Sequence, residues 1–546
     1  MTDMHSNPPP DTTATTVEAP PGLSTKAPLR YLPGLLILGL YAVALVGPLA
    51  LAMLNPTVPA GRFTRQIALG LGLFGLMIIA TSFILAARYQ WINRPFGLDA
   101  VLLFHRRMAV AGLFAIFLHV ILMATHQIQL LTKLWIPWHL QLGRIALLAM
   151  VAQVGASLYR MRLHVEFERW RLSHRLVALI VLVSAFVHGL SSSEAFAPWP
   201  LRILVLTIVA AALVSLFWTR AVRPALPKRL AYRLAEVRSL GKAVWQLQLN
   251  PINANQQLRY LPGQFAFFSL PHADSEKTSE EHAWTIASSP TETGGLTLAI
   301  KELGDFTATI SRLRPGGRVL VHGPFGRFSY ALHATTSRER LVFIAAGIGI
   351  TPFRSMLRYM ADRPGRTSAL LIYGNRTQED IIYRDELTQL EQSSAGTIRV
   401  VHVLSKADAS WGGARGHIDI AAIRRHCDLS LGNQSFWICG PGPFTQATVN
   451  SLLAAGIHPT QIHTEAFCLV HAPVHADGRG RTLKRTAALF CLAAAAMILL
   501  FALVSTDFLS ARGGDYHGRV HPRHSPKPHT PHPARGPAQP PRIANV

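Results

Sequence analysis

Long apolar runs dominate the first 220 positions. Six of them, at about 32–54, 66–87, 104–124, 141–158, 174–191 and 200–219, each approach the roughly 20 residues that cross a bilayer core as a helix. From about 225 to 467 the character changes: apolar runs shorten to strand length, alternate with polar residues and are broken by Gly and Pro. Its first part, 225–331, carries runs such as FAFFSL and LTLAI between turns and predicts a small β-barrel. The second, 335–467, alternates LVFIAAG, ALLIYG, IRVVHVL and SFWICG with helical patterns, the signature of a parallel α/β sheet. A seventh run, 486–505, is also long enough to span. Residues 1–30, rich in Pro and Thr, and 506–546, rich in Pro, His and Arg, predict irregular tails. No basic segment leads straight into a short apolar core near the start, so the pattern is not that of a signal peptide. The expected fold is a multi-span α-helical membrane bundle (31–220) followed by a soluble β-barrel and an α/β parallel-sheet domain.

Charge sharpens this picture. Charged residues make up 15% of the chain, against about 25% in soluble domains, yet 53 Lys+Arg face 29 Asp+Glu for a net +24. Mean hydropathy is +0.25. A nucleic-acid binder would gather such charge on a patch without that hydropathy, so no nucleic-acid partner is expected. The arginines instead mark alternate loops: Arg88, Arg94, Arg106 and Arg107 around the second connection, Arg160, Arg162, Arg169, Arg171 and Arg175 around the fourth, and Arg220, Arg223, Lys228 and Arg229 after span six. By the positive-inside bias those loops, the amino terminus and the soluble half are cytoplasmic, as for a protein of the plasma (inner) membrane. Four cysteines without a C-x-x-C exclude a disulfide scaffold and an all-cysteine metal or iron–sulfur site.

Histidines carry the first candidate chemistry. His105 and His119 lie in span three, His174 and His188 in span five, and both pairs are 14 positions apart. On a helix that is about 21 Å of rise and about four turns, so both members of a pair face nearly the same side. Spans three and five run parallel, which places His105 with His174 at one depth and His119 with His188 at another. Two facing imidazoles at one depth can clamp a haem iron, and two layers make a ladder of two b-type haems. A single intramembrane histidine could equally be a packing residue or a proton-relay member. His126, His139 and His164 fall in loops or at span ends.

Three segments of the soluble half stand out. HAWTIASSP, starting at His282, offers a Thr on a strand, an aromatic and a His that suit a flavin, or is an ordinary barrel strand. KELGDFTATI, Lys301 to Ile310, puts Gly304 before an apparent helix whose amino terminus and Thr307 suit a pyrophosphate, or is simply a capped helix. AAGIGITPFRSML, from Ala345, is a glycine-rich turn after a strand, but Pro352 departs from G-x-G-x-x-G. FWICGPGPF then ends a strand at Cys439, whose plainer reading is a buried small hydrophobe.

The order PGQF, HxWTIASSP, GDFT, GPFG, GIGITP and CGPGPF resembles the ferredoxin-reductase-type FAD/NAD(P)H module. Joined to six spans with two H-x13-H pairs, residues 32–467 resemble the ferric reductase / NADPH oxidase superfamily. The resemblance implies FAD held by His282, Trp284, Thr285, Ser288, Lys301, Gly304 and Thr307. It implies NADPH or NADH, the electron donor, cradled by Gly347, Gly349, Thr351 and Pro352, with Cys439 and Gly440 near the nicotinamide. Phe467, in Glu465-Ala466-Phe467, would cover the flavin ring. Arg376 could pair with an NADP 2′-phosphate or be a surface arginine. The usual HPF[ST] reads His282-Ala283-Trp284-Thr285 here, Phe467 does not end the chain, and there is no EF-hand loop. The implied activity is hydride transfer from NAD(P)H to FAD, then single-electron steps through both haems to an outer acceptor.

That acceptor could be ferric iron or another metal, O₂ yielding superoxide, or a periplasmic protein; short outer connections favour a metal-reductase mouth. The tail histidines His517, His521, His524, His529 and His532 could recruit metal or belong to a plain solvated tail. A different class remains open as well: a transporter whose histidines relay protons, with a nucleotide-sensing soluble half.

Overall fold

The computed structural model describes residues 32–53, 63–126, 133–160, 162–165, 167–192, 196, 198–223, 230–272, 275–304, 306–332, 340–363, 367–430, 432–465 and scattered positions between 488 and 499. Seven helices form its first half: α1 (Leu32–Met53), α2 (Phe63–Ala86), a short α3 (Gln90–Phe96), α4 (Leu98–His126), α5 (Trp138–Tyr159), α6 (Phe167–Ser192) and α7 (Trp199–Phe217). All but α3 are long and apolar enough to cross a membrane. Leu45, Leu49, Met77, Ile78, Leu182, Leu201 and Val205 close the bundle core, while Leu35, Phe114, Leu148 and Val214 stand outward-exposed, where lipid rather than water would meet them.

Two helices differ from their apolar runs. α4 starts at Leu98 rather than 104; in its extra turns Leu98 and Leu102 pack on the soluble half, while Val101 joins the bundle core. The seventh run, 486–505, lies largely outside the described residues. The described positions 488, 491–492, 495–496 and 498–499 are helical, and Ile498 is buried beside Gly70 of α2.

Beyond the bundle come two sheets. The first holds β1 (Leu230–Gly241), β2 (Val244–Pro251), β3 (Phe265–His272), β4 (Ser275–Thr285), β5 (Leu296–Lys301) and β6 (Arg318–Phe325). They are antiparallel in the order β4-β3-β6-β1-β2-β5. The expected barrel is not closed by strand pairing: β4 and β5 share no ladder. Only the N–H of Ala287, just past β4, reaches Thr297 O at 2.8 Å. Ser288 Oγ then takes the Thr297 N–H at 3.0 Å, so a hydroxyl stands where the ladder would continue, and Pro290 cannot donate beyond it.

The second sheet is wholly parallel. It comprises β7 (Arg340–Ala346), β8 (Ser368–Asn375), β9 (Ile398–Leu404), β10 (Ala414–Arg415), β11 (Gln434–Cys439) and β12 (Ile462–Thr464), in the order β10-β9-β8-β7-β11-β12. Helices α8 (Thr351–Asp362), α9 (Arg384–Ser393), α10 (Ile420–His426) and α11 (Gly442–Ala454) accompany it. Strand order reverses at β7, with β8 on one side and β11 on the other, so a crevice opens at the carboxyl ends of β7 and β11.

Candidate functional site

The histidines of the bundle meet in two pairs. Ring centres of His105 and His174 are 6.5 Å apart, and those of His119 and His188 are also 6.5 Å apart. A metal ion held by two opposed imidazole nitrogens at about 2 Å each sets the ring centres about 6 Å apart, so both pairs fit a bis-histidine haem. Among the described residues no group of three His, Cys, Asp or Glu gathers to hold a bare metal ion.

The second pair is oriented from outside the ring. His119 Nδ1 lies 2.6 Å from Ala68 O on α2, and His188 Nδ1 lies 2.8 Å from His139 O on α5. A carbonyl can only accept, so both rings carry the Nδ1 proton and turn an unprotonated Nε2 away from it. Four residues after each carbonyl comes a glycine, Gly72 and Gly143. A Cβ there would stand 3.0 Å from the imidazole of His119 or His188. Carbonyl at i and glycine at i+4 share one helix face, and lack of a side chain lets the ring reach the carbonyl. Sequence reading missed both glycines; the signal was a Gly within a span, one turn past a residue facing the histidine helix.

The first pair is built differently. His174 Nδ1 lies 3.3 Å from Ser157 Oγ, which also accepts from Trp170 Nε1 at 3.3 Å and donates to Gln153 O at 2.7 Å. Gln153 Nε2 donates to His174 O at 2.6 Å. Among the described residues, His105 Nδ1 is buried without a hydrogen-bond partner, as is Arg107 Nη1 two residues along.

In the antiparallel sheet, the register Phe268↔His282, Ala266↔Trp284 and Phe265↔Thr285 fixes which side chains share a face. His282 and Trp284, two apart, point the same way and stack at 5.4 Å. Phe306, from GDFT, stacks on His282 at 4.1 Å; it was quoted in the motif but given no role. Thr285 is buried and Lys301 exposed at the end of β5. The GDFT segment opens only a 3₁₀ turn, Thr307–Arg312. Thr307 Oγ1 accepts from the N–H groups of Leu303 and Gly304 at 2.8 and 3.0 Å, folding that loop on itself. Ser288 is wholly buried, its hydroxyl committed to Thr297 N and Tyr260 OH and its carbonyl to Ser355 Oγ at 2.6 Å. Arg354, beside it on α8, donates to Ala287 O at 2.7 Å and pairs with Glu386 at 2.9 Å, which locks the two sheets together.

At the crevice, Gly347 adopts φ +54°, a left-handed turn that leads straight from β7 into α8. A Cβ on Gly349 would collide with the Cys439 carbonyl, and one on Gly440 would crowd Phe444 and Ala346. The two glycine turns therefore interlock, with Thr351 and Pro352 buried at the head of α8. Arg376 is exposed just past β8, its carbonyl taken by Lys406 N. Cys439 is fully buried, and burial with Glu465 nearby pushes its thiol well above the ordinary range. Burial, with Asp99 of α4 adding to it, likewise pushes the Glu465 carboxyl well up. Among the described residues Glu465 Oε2 has no hydrogen-bond partner, and Oε1 lies 3.2 Å from where a Cβ on Gly326 would stand. Phe467 and the tail histidines lie outside the described residues.

Three family descriptions match in chain order: "Ferric reductase like transmembrane component" over 71–185, "Oxidoreductase FAD-binding domain" over 231–330 and "Oxidoreductase NAD-binding domain" over 343–450. This chain is a ferric-reductase-type membrane component fused to a ferredoxin-reductase-type FAD/NAD module. That order of segments matches the ferric reductase / NADPH oxidase superfamily. Over 241 residues it is 28% identical to the glycine betaine monooxygenase reductase subunit of Chromohalobacter salexigens (43% of this chain, 63% of the relative). Over 236 residues it is 30% identical to the ferredoxin reductase component of 3-ketosteroid-9-alpha-monooxygenase from Mycobacterium tuberculosis (42% and 62%). A nitrate reductase [NADPH] of Fusarium oxysporum matches at 33% over 165 residues, 28% of this chain and 18% of the relative. The chain thus spans less than two thirds of each of these relatives. Among solved structures, the cytochrome b5 reductase domain of Ulva prolifera nitrate reductase is similar at 22% identity, covering 43% of this chain and 97% of that one, with a TM-score of 0.39.

Proposed function

We propose that the reductase carries electrons from cytosolic NAD(P)H through FAD and two bis-histidine haems to an acceptor on the far side of the plasma membrane, ferric iron or another metal. The observation that supports this most is the recurrence of one 6.5 Å separation in two histidine pairs of parallel helices. Bound flavin turns a two-electron donor into single-electron deliveries, which bis-histidine haems accept one at a time.

The chain's own residues position these groups. His282 and Trp284 present a stacking face for the flavin, Thr285 offers it a buried hydroxyl, and Ser288 braces that rim from behind. Lys301, Gly304 and Thr307 line the adjoining loop for the pyrophosphate. Gly347, Gly349, Thr351 and Pro352 form the turn over which NAD(P)H lies, with Arg376 at the edge of the same sheet and Cys439 and Gly440 closing the crevice. Phe467, two residues past Glu465 in the sequence, is the residue that would cover the flavin ring. His105 with His174, and His119 with His188, are the residues that would hold the two haems. The domain limits are those of the sequence pattern: 31–220, 225–331 and 335–467.

The acceptor is tested by following NAD(P)H oxidation with a ferric chelate and with O₂ alone, with and without superoxide dismutase. The proposal predicts chelate-dependent oxidation insensitive to the dismutase; oxidation that needs only O₂ and yields superoxide would overturn the metal assignment.

A further inference from the structure

The soluble half is seated on the bundle by charge. Glu281 immediately precedes His282 on β4, and its carboxylate pairs with Arg88, between α2 and α3, at 2.7 Å. The same guanidinium lies 3.8 Å over the Phe267 ring of β3. Arg220, at the end of α7, lies within electrostatic reach of Arg88, Arg171 and Glu281. Two separate bundle segments thus bring guanidinium groups, Arg88 and Arg220, to a single carboxylate of the flavin sheet. Next to it, the Arg223 guanidinium meets the His322 imidazole of β6, itself 3.9 Å from Glu281. Backbone contacts frame the seat: Gln90 Nε2 donates to Gly323 O at 3.2 Å, and Arg327 Nη1 to Arg94 O at 2.8 Å.

An apolar plug lies beside this polar ring. Leu98 of α4 is buried with Phe267 and Phe325, and Leu102 and Phe265 pack against them. Phe265 is the ladder partner of Thr285. His105 follows Leu98 by seven residues, about 10 Å of helical rise. One helix therefore runs from the flavin sheet directly to the first histidine layer.

We infer that Arg88 and Glu281 are positioning residues that hold the flavin sheet in register over the His105–His174 layer, so that they govern the flavin-to-bundle electron step without touching either cofactor. The inference rests on the function proposed above. The pair is about one quarter exposed at each side chain, and a second guanidinium, Arg220, lies within reach of both its members. Losing the Glu281 charge therefore removes the attraction and leaves like charges facing a neutral sheet.

The test uses the full-length holoprotein in detergent or nanodiscs, with Glu281→Gln, Glu281→Asp, Arg88→Ala and the double variant. Stopped-flow absorbance follows flavin reduction by NAD(P)H and haem reduction separately, and hydrogen exchange follows residues 88–97. Flavin reduction should stay within about twofold of the parent protein. Haem reduction should fall about tenfold or more in Glu281→Gln and Arg88→Ala, the scale on which small misplacement acts. Glu281→Asp should restore most of it, and the double variant should be no slower than the slower single one. Exchange over 88–97 should rise in the slowed variants. The inference is overturned if flavin and haem rates fall together, if haem reduction is unchanged, or if the two losses add fully. Should the parent protein show no NAD(P)H-reducible flavin or haem, the proposed function fails instead of the seat.

Discussion

The two histidine layers share a ring separation but not a construction. In the His119–His188 layer, backbone carbonyls of neighbouring helices hold both Nδ1 atoms, and Gly72 and Gly143 clear the space. In the His105–His174 layer, one Nδ1 faces the Ser157 hydroxyl and the other has no partner. Ser157 already donates its one O–H to Gln153 O, so it can only accept from His174 Nδ1, and at 3.3 Å against 2.6 and 2.8 Å for the carbonyl contacts. The layer away from the soluble half is thus held by two short contacts, and the layer next to the soluble half by a single longer one. Outer-shell partners of metal-bound histidines set ring orientation and basicity, so the layers should respond differently to the same kind of damage.

The largest contrast comes from the ligands. Replacing His119 or His188 with Ala should leave haem reduction by NAD(P)H at the first layer and cut reduction of a far-side acceptor at least about a hundredfold. Replacing His105 or His174 should stop NAD(P)H-driven reduction of both layers. Rapid-scan spectra and acceptor assays on the same preparations distinguish the two patterns, and equal behaviour of both layers would break the comparison.

A step smaller are the supports. Gly72→Ala and Gly143→Ala push a methyl against the imidazole and should weaken haem retention in the second layer about ten- to a hundredfold. Ser157→Ala should change retention in the first layer only a few-fold, because its contact with His174 Nδ1 is a long 3.3 Å. Haem loss to apomyoglobin measures each.

The fold and its chemistry were legible to different degrees. Six spans, the change at residue 225 and the α/β pattern could be read because each depends on local periodicity. The four histidines could be read because spacing on a helix fixes their face. The glycine cradles, Phe306, Tyr260 and the Arg88–Glu281 seat depend on which helix lies beside which, and no local pattern carries that. The barrel expectation exceeded the structure because short alternating strands say nothing about how the last edge pairs; Ser288 and Pro290 decide it.

Two pH effects are smaller still and confined to the soluble half. Burial raises the Glu465 carboxyl, so the folded protein keeps a proton that the unfolded chain releases. Stability is then lost as pH rises from the ordinary carboxylate range toward the folded value. Glu465→Gln should flatten that decline in thermal melts, and an unchanged slope would contradict it. Burial, aided by Arg384, lowers His402 to about 4. The unfolded chain then takes up a proton first as pH falls, and stability drops between about 6.5 and 4. His402→Phe should remove that component, seen as a shallower dependence of melting temperature on pH.

The central claim, two haems held by two distinct layers, is met most directly by counting haem per chain in the purified protein and in His119→Ala, from pyridine haemochrome spectra normalised to protein. The account predicts two per chain falling to one, with the remaining haem still reduced by NAD(P)H. A parent protein without haem, or a variant that keeps both, would contradict it.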